Sequence, residues 1–395
     1  MTFSSVKNKQ RLSDSVQRIK PSGIRRFFDL ASTMDNVISL GVGEPDFVTP
    51  WNVREASINS MERGHTAYTA NAGLLELRQE ISKYMKQRFQ VSYQPEGEVL
   101  VTVGASEGID LAVRAIVNPG DEVIVVEPSF VSYAPIVSLA GGVPVPIGTK
   151  KENDFKLTPS QLEEAITART KAIILCFPNN PTGATMTENE LKEIAYLVEK
   201  HDLLVLSDEI YAELSYDEPH YSFPRCEGMW DRTILISGFS KAFAMTGWRL
   251  GFICGPEDIV SAMLKIHQYT MMCASTLAQH GAIEALQNGQ EDVSRMVTSY
   301  RQRRNYLVKA FDEIGLPCHF PGGAFYAFPD ISPTGMNAEE FAEQLLVEEQ
   351  VAVVPGDVFG EGGETHIRCS YATSLDSLRT AIERMGAFLE RHKIN

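Results

Sequence analysis

Six short apolar runs constrain this chain more than any other feature: VLVTV (99–103), DEVIVV (121–126), KAIILCF (171–177), DLLVL (202–206), TILIS (233–237) and GFIC (251–254). Each is β-branched or leucine-rich on both faces, so the strand it predicts has no side for water. Such strands belong to a mostly parallel sheet sandwiched by helices. Helical patterns fill the gaps between them. In GLLELRQEISKYMKQRF (73–89), Leu74, Leu77, Ile81, Tyr84, Met85 and Phe89 recur at helical spacing. Thr187 followed by Glu190 spells a capping box opening a helix that ends near His201. The alternation predicts an α/β fold with an open, mostly parallel sheet.

After about residue 285 the pattern changes to long amphipathic helices and shorter strands, punctuated by GGAFYAF, VAVVPG and HIRCSYA. We expect an N-terminal arm over 1–45, a large domain over 46–285 and a small α+β domain over 286–395. The arm is expected to pack with the small domain. A chain of 395 residues that is 44% hydrophobic can build both cores.

A formal net charge of −15 repels phosphate backbones and anionic membranes, which argues against nucleic acid as a partner. The start, MTFSSVKNKQRLSDSVQRIK, lacks the apolar core of a signal peptide, and no run is long enough to span a bilayer. These features predict a cytoplasmic protein. The six cysteines form no CxxC pair and the eight histidines show no metal spacing, so no metal is expected. GEGG (360–363) reads as a surface turn.

In open parallel sheets, ligands bind beyond the carboxyl ends of the strands. The segments found there are unusual. VLVTV leads into Gly104, Ala105 and Ser106; KAIILCF into PNNPTG; DLLVL into SDEIY; and TILIS into Gly238, Phe239, Ser240 and Lys241. Gly104, Ala105 and Ser106 open a helical pattern, where N–H groups and the helix dipole favour an anion. Ser240 and the planar fork of Arg249 suit a phosphate. Lys241 is then free to act as a nucleophile toward a carbonyl. A phosphate, a lysine nucleophile and an acid such as Asp208 together suggest pyridoxal 5′-phosphate, with the acid keeping the ring nitrogen protonated.

GFSKAFAMTGWRLG, with PNNPTG, SDEIY, YTANAGLLELR, LGVGEPDF and IRCSYATS, resembles the class I aminotransferases of pyridoxal-phosphate fold type I, over about residues 20 to 380. Within them the chain looks most like bacterial and archaeal enzymes acting on aromatic amino acids, aspartate or N-acetyl-diaminopimelate. The resemblance implies that Lys241 carries the cofactor as a Schiff base and moves the substrate proton. It matches Asp208 to the partner of the ring nitrogen, and Tyr211 with Asn180 to the groups bonding the phenolic oxygen. Phe130 matches the aromatic stacked on the ring. Gly104, Ala105, Ser106, Ser240 and Arg249 match the phosphate cup. Some relatives use a serine at the position of Gly238, which leaves Ser237 or Ser240 to supply that hydroxyl. Arg368, with Asn180 and the backbone of Gly43, matches the clamp on the substrate α-carboxylate. Tyr68 matches a tyrosine reaching the other subunit's phosphate, which implies a homodimer.

The implied reaction passes an amino group from an L-amino acid to a 2-oxoacid such as 2-oxoglutarate, with ping-pong kinetics. A lyase using the same cofactor is the alternative. A nicotinamide dehydrogenase is disfavoured because no GxGxxG with a following acid appears after a strand. A DNA-binding regulator would need a basic extension that this acidic chain lacks. SGIRRFFDLA (22–31) is expected as a lid helix, with Ile24 and Arg25 among the pocket walls. Phe325 and Tyr326 read as core near the substrate.

Overall fold

A computed structural model describes residues 11–21, 23, 34 and 36–392. The expected lid helix lies outside the described residues apart from Gly23, and so do Ile24 and Arg25. After a two-residue strand, β1 (Ile38–Ser39), the chain lays down seven strands of one sheet. These are β2 (Val99–Thr102), β3 (Glu122–Glu127), β4 (Val143–Gly148), β5 (Thr170–Cys176), β6 (Leu204–Asp208), β7 (Thr233–Gly238) and β8 (Gly251–Cys254). Their order is β2-β8-β7-β6-β5-β3-β4, with every pairing parallel except the two made by β8. The six apolar runs are all strands, buried on both faces by helices as their composition requires.

Two details differ from the sequence reading. β4, VPVPIG, is a seventh strand at the sheet edge, where the missing N–H groups of Pro144 and Pro146 are tolerated. Its prolines and half-exposed surface hid it. β8 runs antiparallel because residues 239–250, which join it to β7, contain no α-helix to carry the chain back across the sheet. That uncrossed connection holds Ser240, Lys241 and Arg249, and therefore delivers all three to the edge where the parallel strands end.

The helix over Leu75–Tyr84 buries Leu77, Ile81 and Tyr84, and continues as one π turn that buries Met85 and Phe89. The capping box forms: Thr187 Oγ1 accepts from the Glu190 N–H, and the Glu190 side chain accepts from Thr187. Gly360 and Gly362 have left-handed backbones in a turn whose Glu361 N–H donates to Glu127.

Gly238 pairs with Gly251 across β7 and β8. A Cβ on Gly251 would lie 2.6 Å from Ala105 N, and one on Gly238 would lie 2.9 Å from Gly251 Cα. The helix over Gly104–Ile116 is thereby drawn against the sheet, and no serine fits at 238. Gly238→Ser is expected to destabilise the protein by about 1–3 kcal/mol through overpacking, read as a lowered Tm.

The rest of the chain forms a second sheet from β9 (Tyr326–Ala327), β11 (Val354–Pro355) and β12 (Ile367–Ser370), while β10 (Val351–Ala352) pairs parallel with β1. Leu40 N–H donates to Ala352 O at 2.8 Å, and Leu40 O accepts from Ser370 N–H at 2.6 Å. These bonds tie residues 38–40 to both small sheets and lead Gly41–Glu44 over the strand ends. No helix among the described residues is long and apolar enough to cross a membrane, and no group of three or more metal-ligating side chains occurs among them.

Candidate active site

A cavity of about 320 Å³ opens at the carboxyl ends of the parallel strands. At one end lie Ala105 and Ser106, in the first turn of the helix over Gly104–Ile116, whose free N–H groups and dipole favour an anion. Arg249 and Ser240 complete that end. Gly104 does not line the cavity. It has φ +78° and lies behind Arg249, whose Nη2 would be 2.8 Å from a Cβ there. Arg249 Nη1 donates to Thr246 O at 3.1 Å. Of the two candidate serines, Ser240 lines the cavity, whereas Ser237 Oγ donates to Glu209 O at 3.4 Å and does not.

The floor is Asp208, at the end of β6. Its Oδ2 accepts from Tyr133 Oη at 2.7 Å and its Oδ1 from the Ile210 N–H at 3.2 Å. Burial pushes its carboxyl up to about 6, against the pull of those two donors. Phe130 flanks the space above it.

Lys241 lies between this acid and a second cation. Its Nζ donates to Gly43 O at 2.5 Å and sits 5.6 Å from the Phe325 ring centre. Burial, then the Arg368 guanidinium, lowers the ammonium pKa to about 8. Both causes penalise the charged form, so the neutral amine predominates above that pH. Capture of added pyridoxal 5′-phosphate by the apoprotein is expected to accelerate as pH rises from 6 to about 8 and then level off, measured by stopped-flow absorbance.

Arg368 enters from β12 and is buried. Nη1 donates to Asn180 Oδ1 at 2.9 Å and Nη2 to Gly41 O at 2.7 Å, while Nε is buried with no partner among the described residues. Its guanidinium lies 4.4 Å from the Tyr326 ring centre. A buried guanidinium bonded only to neutral oxygens is suited to receive a carboxylate. Tyr211 and Tyr326 share a hydrogen bond of 3.0 Å between their hydroxyls, and burial raises both phenols above their ordinary range.

Gly43, Ala105, Ser106, Phe130, Asn180, Asp208, Tyr211, Ser240, Lys241, Arg249 and Arg368 thus meet in one cavity, although they come from seven segments of chain. Tyr68 is not among them. It is 79% exposed and outside the cavity of its own chain. The cavity adds residues the sequence reading did not select: Tyr133, Cys176, Glu44 and Thr246. Glu44 Oε2 accepts from Thr246 Oγ1 at 3.0 Å, pinning residue 44 over the loop that carries Arg249. None of the four carried a distinctive signal in the sequence; Tyr133, three residues after Phe130, is marked only by its contacts in the fold.

A helix start suited to an anion, a buried acid, a lysine of lowered pKa and a buried guanidinium whose Nε has no partner among the described residues fit a pyridoxal-phosphate transferase of the α/β type. The Aminotransferase class I and II family matches residues 35–385, and the chain belongs to that family. The Bacillus subtilis (strain 168) protein named "Putative aminotransferase YugH" is 62% identical over 96% of this chain and 98% of its own. The aspartate aminotransferase of Pyrococcus abyssi is 43% identical over 97% of this chain and 99% of its own. The structure of the aromatic aminotransferase from Pyrococcus horikoshii OT3 superposes with a TM-score of 0.89 at 42% identity, covering 93% of this chain and 99% of that one.

Proposed function

We propose that this enzyme moves the amino group of an aromatic or aspartate-like L-amino acid to a 2-oxoacid such as 2-oxoglutarate, in two successive half-reactions. The observation that carries this reading is Lys241: a pKa-depressed amine placed between the Asp208 acid and the Arg368 guanidinium in one cavity. The residues present fit pyridoxal 5′-phosphate. Ala105, Ser106, Ser240 and Arg249 supply donors for its phosphate, and the acceptor oxygens of Asp208 suit a protonated ring nitrogen. The unpaired Nε of Arg368 leaves a donor for the substrate. When bound, the cofactor supplies a ring that accepts the electron pair released at the substrate Cα.

The chain's own residues do the rest. Asp208 holds the proton on the ring nitrogen. Tyr211 and Asn180 donate to the phenolic oxygen, and Phe130 covers one ring face. Arg368, with Asn180 and Gly43, grips the α-carboxylate and so keeps it in the plane, leaving the Cα–H bond upright. The Lys241 amine would take that proton from the substrate Cα and hold it as an ammonium for return. Holding the carboxylate in the plane favours amino transfer over decarboxylation.

Among the described residues lining the cavity, Lys241, Arg249 and Arg368 are the cations, and each has a role in this scheme. None of these three remains for a distal carboxylate, which among the described residues supports an aromatic donor ahead of aspartate or N-acetyl-diaminopimelate; Arg25, expected among the pocket walls, lies outside them. Tyr68 is exposed, as are the apolar side chains of Trp51, Met61 and Tyr269. The exposure of Tyr68 outside its own cavity supports a homodimer in which it reaches the partner's phosphate. The two sheets on either side of residue 285 support the division at that point.

Initial rates with L-tyrosine, L-phenylalanine and L-aspartate against 2-oxoglutarate test the scheme. Parallel double-reciprocal lines are expected, with the largest kcat/KM for an aromatic donor. Intersecting lines would exclude the two-stage order, and preference for aspartate would place a cation outside the described cavity.

A further inference from the structure

Tyr133 joins two residues that face the cavity from different elements. Its hydroxyl donates to Asp208 Oδ2 at 2.7 Å, across 75 residues of sequence. Its ring meets Phe130 edge-on, with centroids 5.6 Å apart and planes at 81°. The pair is closed locally, since the Tyr133 N–H donates to Phe130 O at 3.2 Å. Tyr133 is 1% exposed. With the Ile210 N–H on Oδ1 and Tyr133 on Oδ2, rotating the Asp208 carboxylate would break both bonds.

We propose that Tyr133 is a positioning residue for amino transfer, holding the Asp208 carboxylate ionised and in fixed orientation while setting Phe130 across the cavity. This rests on the reading above, in which Asp208 faces the ring nitrogen. A hydroxyl donating to a carboxylate favours its ionised form, and only an ionised Asp208 can hold the ring proton. Burial, helped by Asp208 itself, keeps the Tyr133 phenol far above its ordinary pKa, so it stays a donor at any working pH. The other groups facing Asp208 cannot replace it. Glu209 beside it opposes ionisation, Lys241 favours it only from a distance, and the Cys176 thiol opposite it on β5 is kept protonated by burial.

Tyr133→Phe removes one oxygen and keeps the ring. The Asp208 carboxyl is followed by carbon-13 NMR in aspartate-labelled apoprotein, assigned with Asp208→Asn. Its midpoint near 6 is expected to rise by about one pH unit in Tyr133→Phe. Site-specific 3-fluorotyrosine at 133, a stronger donor of nearly the same shape, is expected to lower it. In enzyme loaded with pyridoxal 5′-phosphate, the first half-reaction with the preferred donor is expected to slow about tenfold or more, with KM for that donor within about twofold. A midpoint unmoved in both variants overturns the inference, and so does a half-reaction of Tyr133→Phe as fast as the parent. Failure of the underlying reading looks different: the parent enzyme itself would convert no amino acid.

Discussion

Lys241→Ala lowers the rate of amino transfer at least about 10⁴-fold, while the protein keeps its fold and its capacity to bind pyridoxal 5′-phosphate. The size follows from what is lost. Among the described residues Lys241 contributes the only cavity amine, placed by the short connection between β7 and β8, and its Nζ is within hydrogen-bond reach of Gly43 O where the substrate carboxylate is expected. Without it no group in the cavity has both the basicity and the position to move the Cα proton. In the proposed scheme Asp208 faces the ring nitrogen, and the phenols of Tyr211 and Tyr326 are raised by burial. The same scheme assigns the phosphate to Ala105, Ser106, Ser240 and Arg249, so cofactor affinity should fall far less than rate. Slow recovery of activity with added methylamine would support the assignment, since a free amine can enter the space the side chain vacates. Single-turnover kinetics with the cofactor bound separate these outcomes, and a mutant with near-normal turnover would remove Lys241 from the mechanism.

Arg368→Lys is the second large effect. The change keeps the charge but replaces a planar fork with a point charge on a flexible stem. In the protein the fork is fixed by Asn180 Oδ1, Gly41 O and the Tyr326 ring, leaving Nε without a partner among the described residues. A lysine cannot reproduce three of those contacts at once. Losing a bidentate, buried ionic contact costs about 2–5 kcal/mol, which lowers kcat/KM by about 30- to 4,000-fold for the amino acid and the 2-oxoacid alike. Part of the loss should fall on kcat, because a loosely held carboxylate no longer keeps the Cα–H bond upright. Side products of decarboxylation are expected to rise for the same reason. Unchanged KM and kcat for both substrates would show that the α-carboxylate binds elsewhere.

The sheet was legible because its strands are buried on both faces and therefore announce themselves as unbroken apolar runs. β4 was not, since Pro144 and Pro146 suit only an edge strand and carry no strand signature of their own. The orientation of β8 depends on what its connection lacks, a crossover helix, which the run GFIC does not encode. In the site, Lys241, Asp208 and Asn180 stood out as polar groups at or just after the ends of apolar strands, and Arg249 as one just before GFIC. Arg368 instead lies within β12, and its suitability appears only when Asn180 and Gly41 close around it. Tyr133 reads as an ordinary core tyrosine until the fold brings Asp208 to its hydroxyl. The absence of serine at 238 looked like a departure from a pattern; packing against Gly251 explains it, and Ser240 already faces the cavity. Tyr68 is the opposite case, since a residue 79% exposed on one chain can serve a site only through a second copy.

The most direct measurement of the central claim is a single half-reaction. Enzyme loaded with pyridoxal 5′-phosphate is mixed with L-tyrosine, L-phenylalanine or L-aspartate in the absence of any 2-oxoacid, and the cofactor absorbance and released products are followed. Amino transfer through Lys241 predicts one equivalent of the matching oxoacid per subunit, retention of the nitrogen on the protein, and its release to 2-oxoglutarate when that is added. Continuous release of ammonia without an acceptor, or no change in the cofactor with any amino acid, would contradict it.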